Sequence, residues 1–351
     1  MNNVLEVSKS AFKHNIDVIS KYVNYKKIMP IIKANGYGTY INKNLELIKD
    51  FNIVGVARVS EAIELRNIGF KNEIFVLNQP YVEEIGDISK YNISIGICSF
   101  DFLLKLIESG KKVKVHLEIE SGMNRTGIKE SELDEFVSLI KNSSNILVDG
   151  IYTHFSSADS DKRYTLKQID IFDRCVMKLK DIFKFSYIHS SASNGVLHFN
   201  DEVCNTVRVG ILMYGYINTN LDVKPICKLK SRISFIKEID KNESVSYNRT
   251  FKSKTKMKIA TVGIGYADGV RRELSNKGFV LVNGVKCPIV GNICMDSLMI
   301  DVSDVDVQEG DYVYIFDNEN IRVSDISSVC NTIDYEILSS ISTRVERVFV
   351  K

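Results

Sequence analysis

Eight short apolar runs, separated by stretches with helical periodicity, dominate the chain up to about residue 222. We predict strands near Met29–Ala34, Ile53–Arg58, Glu73–Asn78, Ile93–Ser99, Val113–Glu120, Val148–Phe155, Tyr187–Ser191 and Thr206–Ile211. Between the runs, Ser60–Arg66 opens with a capping residue and carries apolar positions at helical spacing. Strands that recur every ~20 to 40 residues are typical of a (β/α)8 barrel. The sequence therefore predicts an α/β fold that begins with a TIM-type barrel.

The pattern changes at Asp222–Pro225. Beyond this break, strands follow one another without long helices, and we predict them at Lys228–Ile239, Lys258–Ile264, Phe279–Val282, Val285–Val290, Ser297–Val302 and Tyr312–Phe316. Asn283 and Gly284 separate two of these runs, and this pair favours a tight hairpin turn with positive φ at both residues. A length of 351 residues also favours two domains. We predict a barrel domain at residues 1–224 and a mostly β domain at residues 225–351.

Composition excludes several classes of function. The chain is 44% hydrophobic and 26% charged with a formal net charge of +2, so no charge pattern indicates nucleic acid or a membrane surface. No apolar run approaches the ~18 residues that span a bilayer. Residues Met1–Val4 lack the features of a secretory signal. The seven cysteines form no C-x-x-C pair, so we expect a reduced cytoplasmic protein without a metal site.

Reactive residues follow several of the predicted strands, and in a barrel the chemistry belongs at the C-terminal ends of strands. Lys33 follows the first apolar run, where burial would lower its pKa as a Schiff-base lysine requires. Spacing alone leaves open a lysine that extends its charge into solvent. Four more candidates follow later strands: Arg125, His154, Ser193 and Arg208. Each signal is weak alone, but five in barrel order indicate one site.

Short motifs around these residues resemble those of the alanine racemase family. They are Lys33-Ala34-Asn35-Gly36-Tyr37-Gly38, Gly122-Met123-Asn124-Arg125-Thr126-Gly127, Tyr152-Thr153-His154-Phe155, Val207-Arg208-Val209-Gly210, Val245-Ser246-Tyr247, Gly265-Tyr266-Ala267-Asp268-Gly269, Ile293-Cys294-Met295-Asp296 and Asp334-Tyr335-Glu336-Ile337. Their order is that of the family, and the resemblance runs from Leu5 to Phe349. It implies a pyridoxal-phosphate-dependent racemase that works as a homodimer.

The resemblance assigns a base to each face of the substrate. Lys33 would carry the cofactor and act on one face of the α-carbon, and Tyr247 of the partner subunit would act on the other. Racemisation needs both, because a proton removed from one face must return on the other. Tyrosine is a poor base unless its anion is stabilised, and His154 and Arg208 are candidates for that. Without the resemblance, Tyr247 would be interpreted as a buried aromatic residue with a bonded hydroxyl group.

The remaining roles also come from the resemblance. Arg208 would face the pyridine nitrogen of the cofactor. Arg125 would meet the phenolic oxygen of the cofactor and the substrate carboxylate, and Met295 of the partner subunit would also bind the substrate. Asp296, also from the partner subunit, would support the site, and Tyr266 and Tyr335 would narrow its entrance. The implied cofactor-binding set is Lys33, Tyr37, His154, Ser193, Arg208, Gly210, Ile211 and Tyr335, with the phosphate held by Tyr37, Ser193, Tyr335 and the backbone amides of Gly210 and Ile211.

Three residues depart from the family pattern. Ala192 stands where asparagine usually precedes the phosphate serine, and Asn292 stands where arginine is usual. Glu118 stands where family members often have a lysine. In some members this lysine is carbamylated, and its carboxylate helps to hold the arginine that corresponds to Arg125. We hypothesise that Glu118 supplies a permanent negative charge for Arg125, directly or through a bridging water. The alternative is that Glu118 points to solvent on an alternating strand.

We therefore predict a cytoplasmic homodimer that interconverts L- and D-alanine and supplies D-alanine for peptidoglycan. One alternative is the same reaction on serine or another small amino acid, since a small pocket rejects an added hydroxyl only weakly. Another is a non-catalytic pyridoxal-phosphate-binding protein, but such barrels generally lack a second domain like residues 226–351. A third is a decarboxylase, which Arg208 disfavours because barrel decarboxylases place a carboxylate there.

Overall fold

The computed structural model describes residues 3–24 and 26–351. Its first part contains eight parallel strands: Lys27–Pro30, Ile53–Val56, Glu73–Val76, Ser94–Ile97, Val113–Glu118, Ile146–Tyr152, Tyr187–His189 and Thr206–Val209. Every residue of Ile53–Val56 and Ser94–Ile97 is buried. Burial on both faces explains why these strands are continuous apolar runs rather than alternating ones.

The parallel strands close into a barrel. Six of them, from Ile53–Val56 to Tyr187–His189, pair in sequence order, and Lys27–Pro30 pairs with Thr206–Val209. A bridge between Ile31 and Gly55 joins the two groups on one side. On the other side, the Asn205 amide donates to the Ile188 carbonyl at 3.1 Å. The predicted TIM-type barrel is confirmed.

Helices surround the barrel, and some of them begin at a residue whose side chain caps the helix. Asp161 accepts from the Tyr164 amide at the start of the longest helix, and Ser99 accepts from the Phe102 amide in the same way. The α-helices of this part are Lys9–Tyr22, Leu45–Ile48, Val59–Asn67, Ile85–Lys90, Phe100–Glu108, Leu133–Lys141, Lys162–Leu179, Ser193–His198 and Ile211–Tyr214. No helix in the described residues is long and apolar enough to cross a membrane.

The second part of the chain is built on one branched sheet. Its path runs in the order Val285–Pro288, Phe279–Val282, Tyr312–Phe316, Cys227–Ile239, Val4–Ser8 and Glu346–Val350. Met257–Val262 also pairs with Cys227–Ile239, and Leu298–Asp301 pairs with Met257–Val262. Ser244–Val245 and Phe251–Lys252 form a separate hairpin. Two helices, Val323–Val329 and Asp334–Ser339, complete this mostly β part.

The N-terminal strand Val4–Ser8 belongs to this second sheet. It pairs antiparallel with Cys227–Ile239 and parallel with Glu346–Val350. The sequence analysis included this segment in the barrel domain. Its apolar residues Leu5 and Val7 are fully buried there because the strand lies between two others.

The predicted strands are all present, and several end earlier than expected. The first barrel strand ends at Pro30 rather than Ala34, and the fifth ends at Glu118 rather than Glu120. The extra residues turn away from the sheet to form the mouth of the barrel. Asn283 and Gly284 have φ values of +50° and +81° between two paired strands, which confirms the predicted hairpin turn.

Candidate active site

A cavity of about 360 Å³ opens at the C-terminal ends of the barrel strands. It is lined by Ile31, Lys33, Ala34, Tyr37, Leu77, His154, Ala192, Ser193, Arg208, Gly210, Ile211, Tyr335 and Ser339. Most of these residues come from four neighbouring regions of the barrel, and Tyr335 and Ser339 approach from the helical segment of the second part. The cavity therefore contains every residue of the predicted cofactor-binding set.

A left-handed turn presents Lys33 to this cavity. The four residues after Lys33, from Ala34 to Tyr37, all have φ between +52° and +60°. For residues with a Cβ, this conformation costs roughly 1–2 kcal/mol each. Glu61 helps to hold the turn, because its carboxylate accepts from the Ala34 amide at 2.6 Å and from the Ala57 amide at 2.8 Å. Backbone strain of this kind is concentrated at functional sites.

The surroundings of Lys33 favour its neutral amine. Burial lowers the pKa of Lys33 from its usual value, and the positive charges of Arg125 and Arg208 lower it further, while Glu61 opposes them. A lysine with a depressed pKa is both a better nucleophile toward a carbonyl group and a usable base near neutral pH.

Arg208 is buried and held by the protein through its two terminal nitrogens. One donates to the His189 carbonyl and contacts His189 Nδ1, both at 2.8 Å. The other donates to the Thr153 and Ser190 carbonyls at 2.8 Å and contacts His154 Nδ1 at 3.1 Å. Nε makes no hydrogen bond within the part of the chain that the structure describes. Burial lowers the pKa of Arg208 to about 10, so the guanidinium remains charged at neutral pH.

The contacts of Arg208 fix the protonation of two histidines. Arg208 Nη1 has one hydrogen for each of its two contacts with His189, and arginine only donates, so Nδ1 of His189 accepts. His189 then carries its proton on Nε2 and donates it to His116 Nδ1 at 2.9 Å. His116 is left with a buried Nε2–H that has no acceptor among the described residues. Burial and the charge of Arg208 lower the pKa of His189, and burial lowers the pKa of both His116 and His154 to about 3. All three imidazoles are therefore neutral, so His154 could stabilise a tyrosine anion only through a hydrogen bond and not through a positive charge.

We expect these histidines to make the protein less stable in acid. Below pH 6.5 the unfolded chain protonates its histidines while the folded chain does not, so the free energy of unfolding falls as the pH drops from 6.5 toward 3. Each histidine contributes a slope of about 1.4 kcal/mol per pH unit. Between pH 7 and 5 this amounts to about 2 kcal/mol, because the full slope is reached only well below pH 6.5. The free energy of unfolding, measured with urea, should therefore fall by about 2 kcal/mol less for His116→Gln than for the wild-type protein over this range.

Exposed His198 offers the matched control. His198→Gln should leave the slope close to that of the wild-type protein. Carboxylates titrate in the same pH range, and comparison between variants removes their contribution. Equal slopes for His116→Gln and the wild-type protein would show that His116 is not held neutral by the fold.

Small residues and amides form the end of the cavity near Ser193. The Gly210 and Leu212 amides donate to Ser193 Oγ at 3.2 and 3.3 Å. A Cβ on Gly210 would lie 2.4 Å from Tyr37 Oη, so only glycine lets this backbone approach the tyrosine. Tyr37 and Tyr335 stand side by side with ring centroids 5.9 Å apart. Backbone amides and hydroxyl groups grouped in this way suit an anion.

Four predicted residues lie outside the cavity, on the surface of the second part. Tyr247, Tyr266 and Met295 are 70%, 43% and 53% exposed. They are close in space, since Asn292 donates to the Tyr247 carbonyl at 2.9 Å and the Tyr266 amide donates to the Cys294 carbonyl. Asp296 forms an ion pair with Arg344 at 2.7 Å. Within one chain, the structure does not bring Tyr247 to Lys33.

The direct form of the Glu118 hypothesis is wrong, and the form with a bridging water stays a prediction. Glu118 is buried, and its Oε1 accepts from Thr126 Oγ1 at 2.7 Å. No ion pair within 4.0 Å joins Glu118 and Arg125 in the described residues, although the charge of Arg125 is among those that lower the pKa of Glu118. The alternative, a solvent-facing Glu118, is also wrong. Arg125 itself is exposed.

Three residues of the site were not found from the sequence. Glu61 was interpreted only as part of a helix, whereas its carboxylate caps the Lys33 turn. His189 and His116 lie inside strands and are fully buried, where a histidine looks like an ordinary core residue. Arg208 is the residue that could have indicated them, because the N–H groups of a buried arginine need acceptors on neighbouring strands.

A closed parallel barrel with a lysine and a buried arginine at its C-terminal mouth, followed by a mostly β part, defines a two-part α/β-barrel enzyme. The comparisons with known proteins agree over nearly the whole chain. Residues 7–218 match the model of the alanine racemase N-terminal domain, and residues 226–349 match that of the C-terminal domain. The chain therefore belongs to the alanine racemase family. It is an amino-acid racemase, a type of isomerase.

Individual relatives cover the full length. Alanine racemase 1 of Clostridium acetobutylicum is 34% identical over 99% of this chain and 95% of its own length. The alanine racemase of Fusobacterium nucleatum is 33% identical over all of both chains. The solved alanine racemase of Clostridium difficile 630 is 33% identical with a TM-score of 0.92, and it covers 100% of this chain and 96% of its own. A Bacillus anthracis alanine racemase with bound L-Ala-P is 31% identical with a TM-score of 0.92, over 100% of this chain and 95% of its own.

Proposed function

We propose that this chain interconverts L- and D-alanine with pyridoxal phosphate, using Lys33 and Tyr247 as bases on opposite faces of the substrate. The observation that carries the proposal is the cavity in which a lysine of lowered pKa lies with a buried, charged arginine. The full-length similarity to alanine racemases supports alanine as the substrate.

The residues of the cavity fit pyridoxal phosphate. Gly210 and Tyr37 form a recess that a Cβ would fill. The Ile211 amide begins a helix, so it has no acceptor within that helix. Together with Ser193 and Tyr335, these groups would hold the phosphate. Arg208 would hold the pyridine nitrogen through Nε, and Lys33 would hold the aldehyde carbon. When bound, the cofactor makes the α-proton of the substrate acidic by delocalising the electron pair left behind.

Lys33 is suited to move a proton on one face. Its lowered pKa keeps part of the amine neutral, and a neutral amine accepts the α-proton. The left-handed turn and Glu61 hold its backbone so that Nζ stays at the cavity. Tyr335 closes the cavity on the side of the second part and limits the access of water.

Arg208 restricts the reaction to proton exchange. A guanidinium does not donate a full proton to the pyridine nitrogen, so the ring withdraws electrons less strongly. Weak withdrawal suits racemisation, because long-lived negative charge on the α-carbon invites transamination. His189 orients the guanidinium as a neutral acceptor. This arrangement disfavours a decarboxylase.

The second base requires a second copy of the chain. Tyr247 is 70% exposed and lies outside the cavity, which suits a residue that completes the site of a partner. Tyr266, Met295 and Asp296 lie in the same surface region and would accompany it. We propose a homodimer in which Arg125 and the partner's Met295 bind the substrate. The proposal includes the domain boundary between residues 224 and 225, with the strand Val4–Ser8 assigned to the β-rich domain rather than to the barrel. It also includes a cytoplasmic supply of D-alanine for peptidoglycan.

A direct test is to incubate the purified holoprotein separately with L-alanine and L-serine and to measure both enantiomers by chiral chromatography. We expect D-alanine to form, and kcat/KM for alanine to exceed that for serine by up to about a hundredfold, because a small pocket rejects one hydroxyl group only weakly. A higher kcat/KM for serine than for alanine would mean that serine is the preferred substrate. A holoprotein that converts neither amino acid would support the non-catalytic alternative.

A further inference from the structure

The loop that carries Arg125 is held at its base by the backbone. The Ile128 amide donates to the Glu118 carbonyl at 2.7 Å, and the Glu120 amide donates to the Ile128 carbonyl at 2.9 Å. The chain between Glu120 and Ile128 is therefore a loop whose two ends are joined by backbone hydrogen bonds. Arg125 lies in this loop, is exposed, and makes no side-chain hydrogen bond within residues 3–24 and 26–351. Its position depends on what holds the loop.

Two carboxylates hold the two halves of this loop. Glu120 accepts from the Gly122 amide and, at 2.8 Å, from the Asn124 amide. Glu118 accepts from Thr126 Oγ1 at 2.7 Å. Asn124 and Thr126 are the immediate neighbours of Arg125, so each neighbour is fixed by a different carboxylate. These two contacts restrict the backbone of Arg125 from both sides.

The side chain of Glu118 is held in place by burial and by its position on a strand. The side chain is only 5% exposed, at the end of a barrel strand. Burial raises the pKa of its carboxyl group, whereas the hydrogen bond from Thr126 and the charges of Arg125 and Arg208 lower it. Removing a hydrogen-bond donor from a buried carboxylate leaves a charge without a partner, which costs free energy. The hydrogen bond from Thr126 to Glu118 is therefore stronger than one made by an exposed side chain to a neutral group.

We propose that Glu118 is a positioning residue that acts through Thr126, and that this contact holds Arg125 where it meets the carboxylate of the amino-acid substrate. The proposal rests on the proposed function, because it assumes that Arg125 binds that carboxylate. It gives Thr126 a role in substrate binding, through the position of Arg125. Glu118 contributes by holding the neighbouring residue rather than by pairing with the arginine.

Thr126→Val tests the contact, since valine keeps the shape of threonine without the hydroxyl group. Hydrogen exchange of the holoprotein, followed by mass spectrometry, should show about tenfold faster exchange in residues 121–128, as expected for the loss of one hydrogen bond to a charged group. KM for alanine should rise about tenfold with kcat within about twofold, because a substrate-binding contact is weakened in the ground and transition states alike. Thr126→Ser should restore both.

Thr255→Val is the control, because Thr255 is an exposed loop threonine in the second part with no side-chain hydrogen bond in the described residues. Its exchange and kinetics should match those of the wild-type protein. Wild-type exchange and KM in Thr126→Val would overturn the proposal, as would failure of Thr126→Ser to restore them. If the wild-type chain does not racemise alanine, the proposed function fails, and the exchange measurement still decides whether Glu118 and Thr126 hold the loop.

Discussion

Lys33→Ala is expected to lower racemase activity by at least about 10⁴-fold, because the group that binds the cofactor covalently and one of the two bases disappear together. The absorption band of the bound cofactor near the edge of the visible range should disappear as well. Both changes are measured on the purified protein after incubation with pyridoxal phosphate, by spectroscopy and by the rate of D-alanine formation.

Lys13→Ala is a matched control, because Lys13 is an exposed lysine on the first helix and does not line the cavity. It should retain the absorption band and the activity of the wild-type protein. A Lys33→Ala variant that kept both would refute the assignment of Lys33.

Tyr247→Phe is expected to keep cofactor binding and lose about 10²–10⁴-fold in racemisation, the usual contribution of a general base. The loss should be asymmetric, since only one face of the substrate loses its base. Exchange of the α-proton in deuterated solvent, followed from each enantiomer separately, should be far slower from one of them. Because the ring is 70% exposed, removing its hydroxyl group should not affect folding.

Tyr81→Phe provides the comparison, since Tyr81 is a 77% exposed tyrosine outside the cavity. It should behave as the wild-type protein. A small and equal effect of Tyr247→Phe on both enantiomers would make Tyr247 a structural residue.

Local patterns in the sequence were sufficient to predict the barrel strands and the hairpin at Asn283 and Gly284. The strand Val4–Ser8 was missed because its partners, Cys227–Ile239 and Glu346–Val350, lie hundreds of residues away. A five-residue run at the start of a chain carries no signal of such distant pairing. Its position depends on the assembled sheet, which periodicity along the chain does not describe.

The site was predictable where a residue type and its place after a strand both point to chemistry, as for Lys33 and Arg208. The lowered pKa of Lys33 was expected from burial, but the contribution of Arg125 depends on the folded distance between them. Glu118 shows the limit of such reasoning. Its strand position suggested a partner for Arg125, but the adjacent hydroxyl group of Thr126 takes the hydrogen bond instead.

The central claim is that one active site combines Lys33 of one chain with Tyr247 of another. The most direct test mixes the two inactive variants, Lys33→Ala and Tyr247→Phe, under conditions in which subunits exchange, and measures racemisation of alanine. Heterodimers contain one site with both bases intact, so activity should reappear at up to about one quarter of the wild-type level when the chains pair at random. No recovery of activity, with heterodimers shown to form, would mean that each site is built from a single chain.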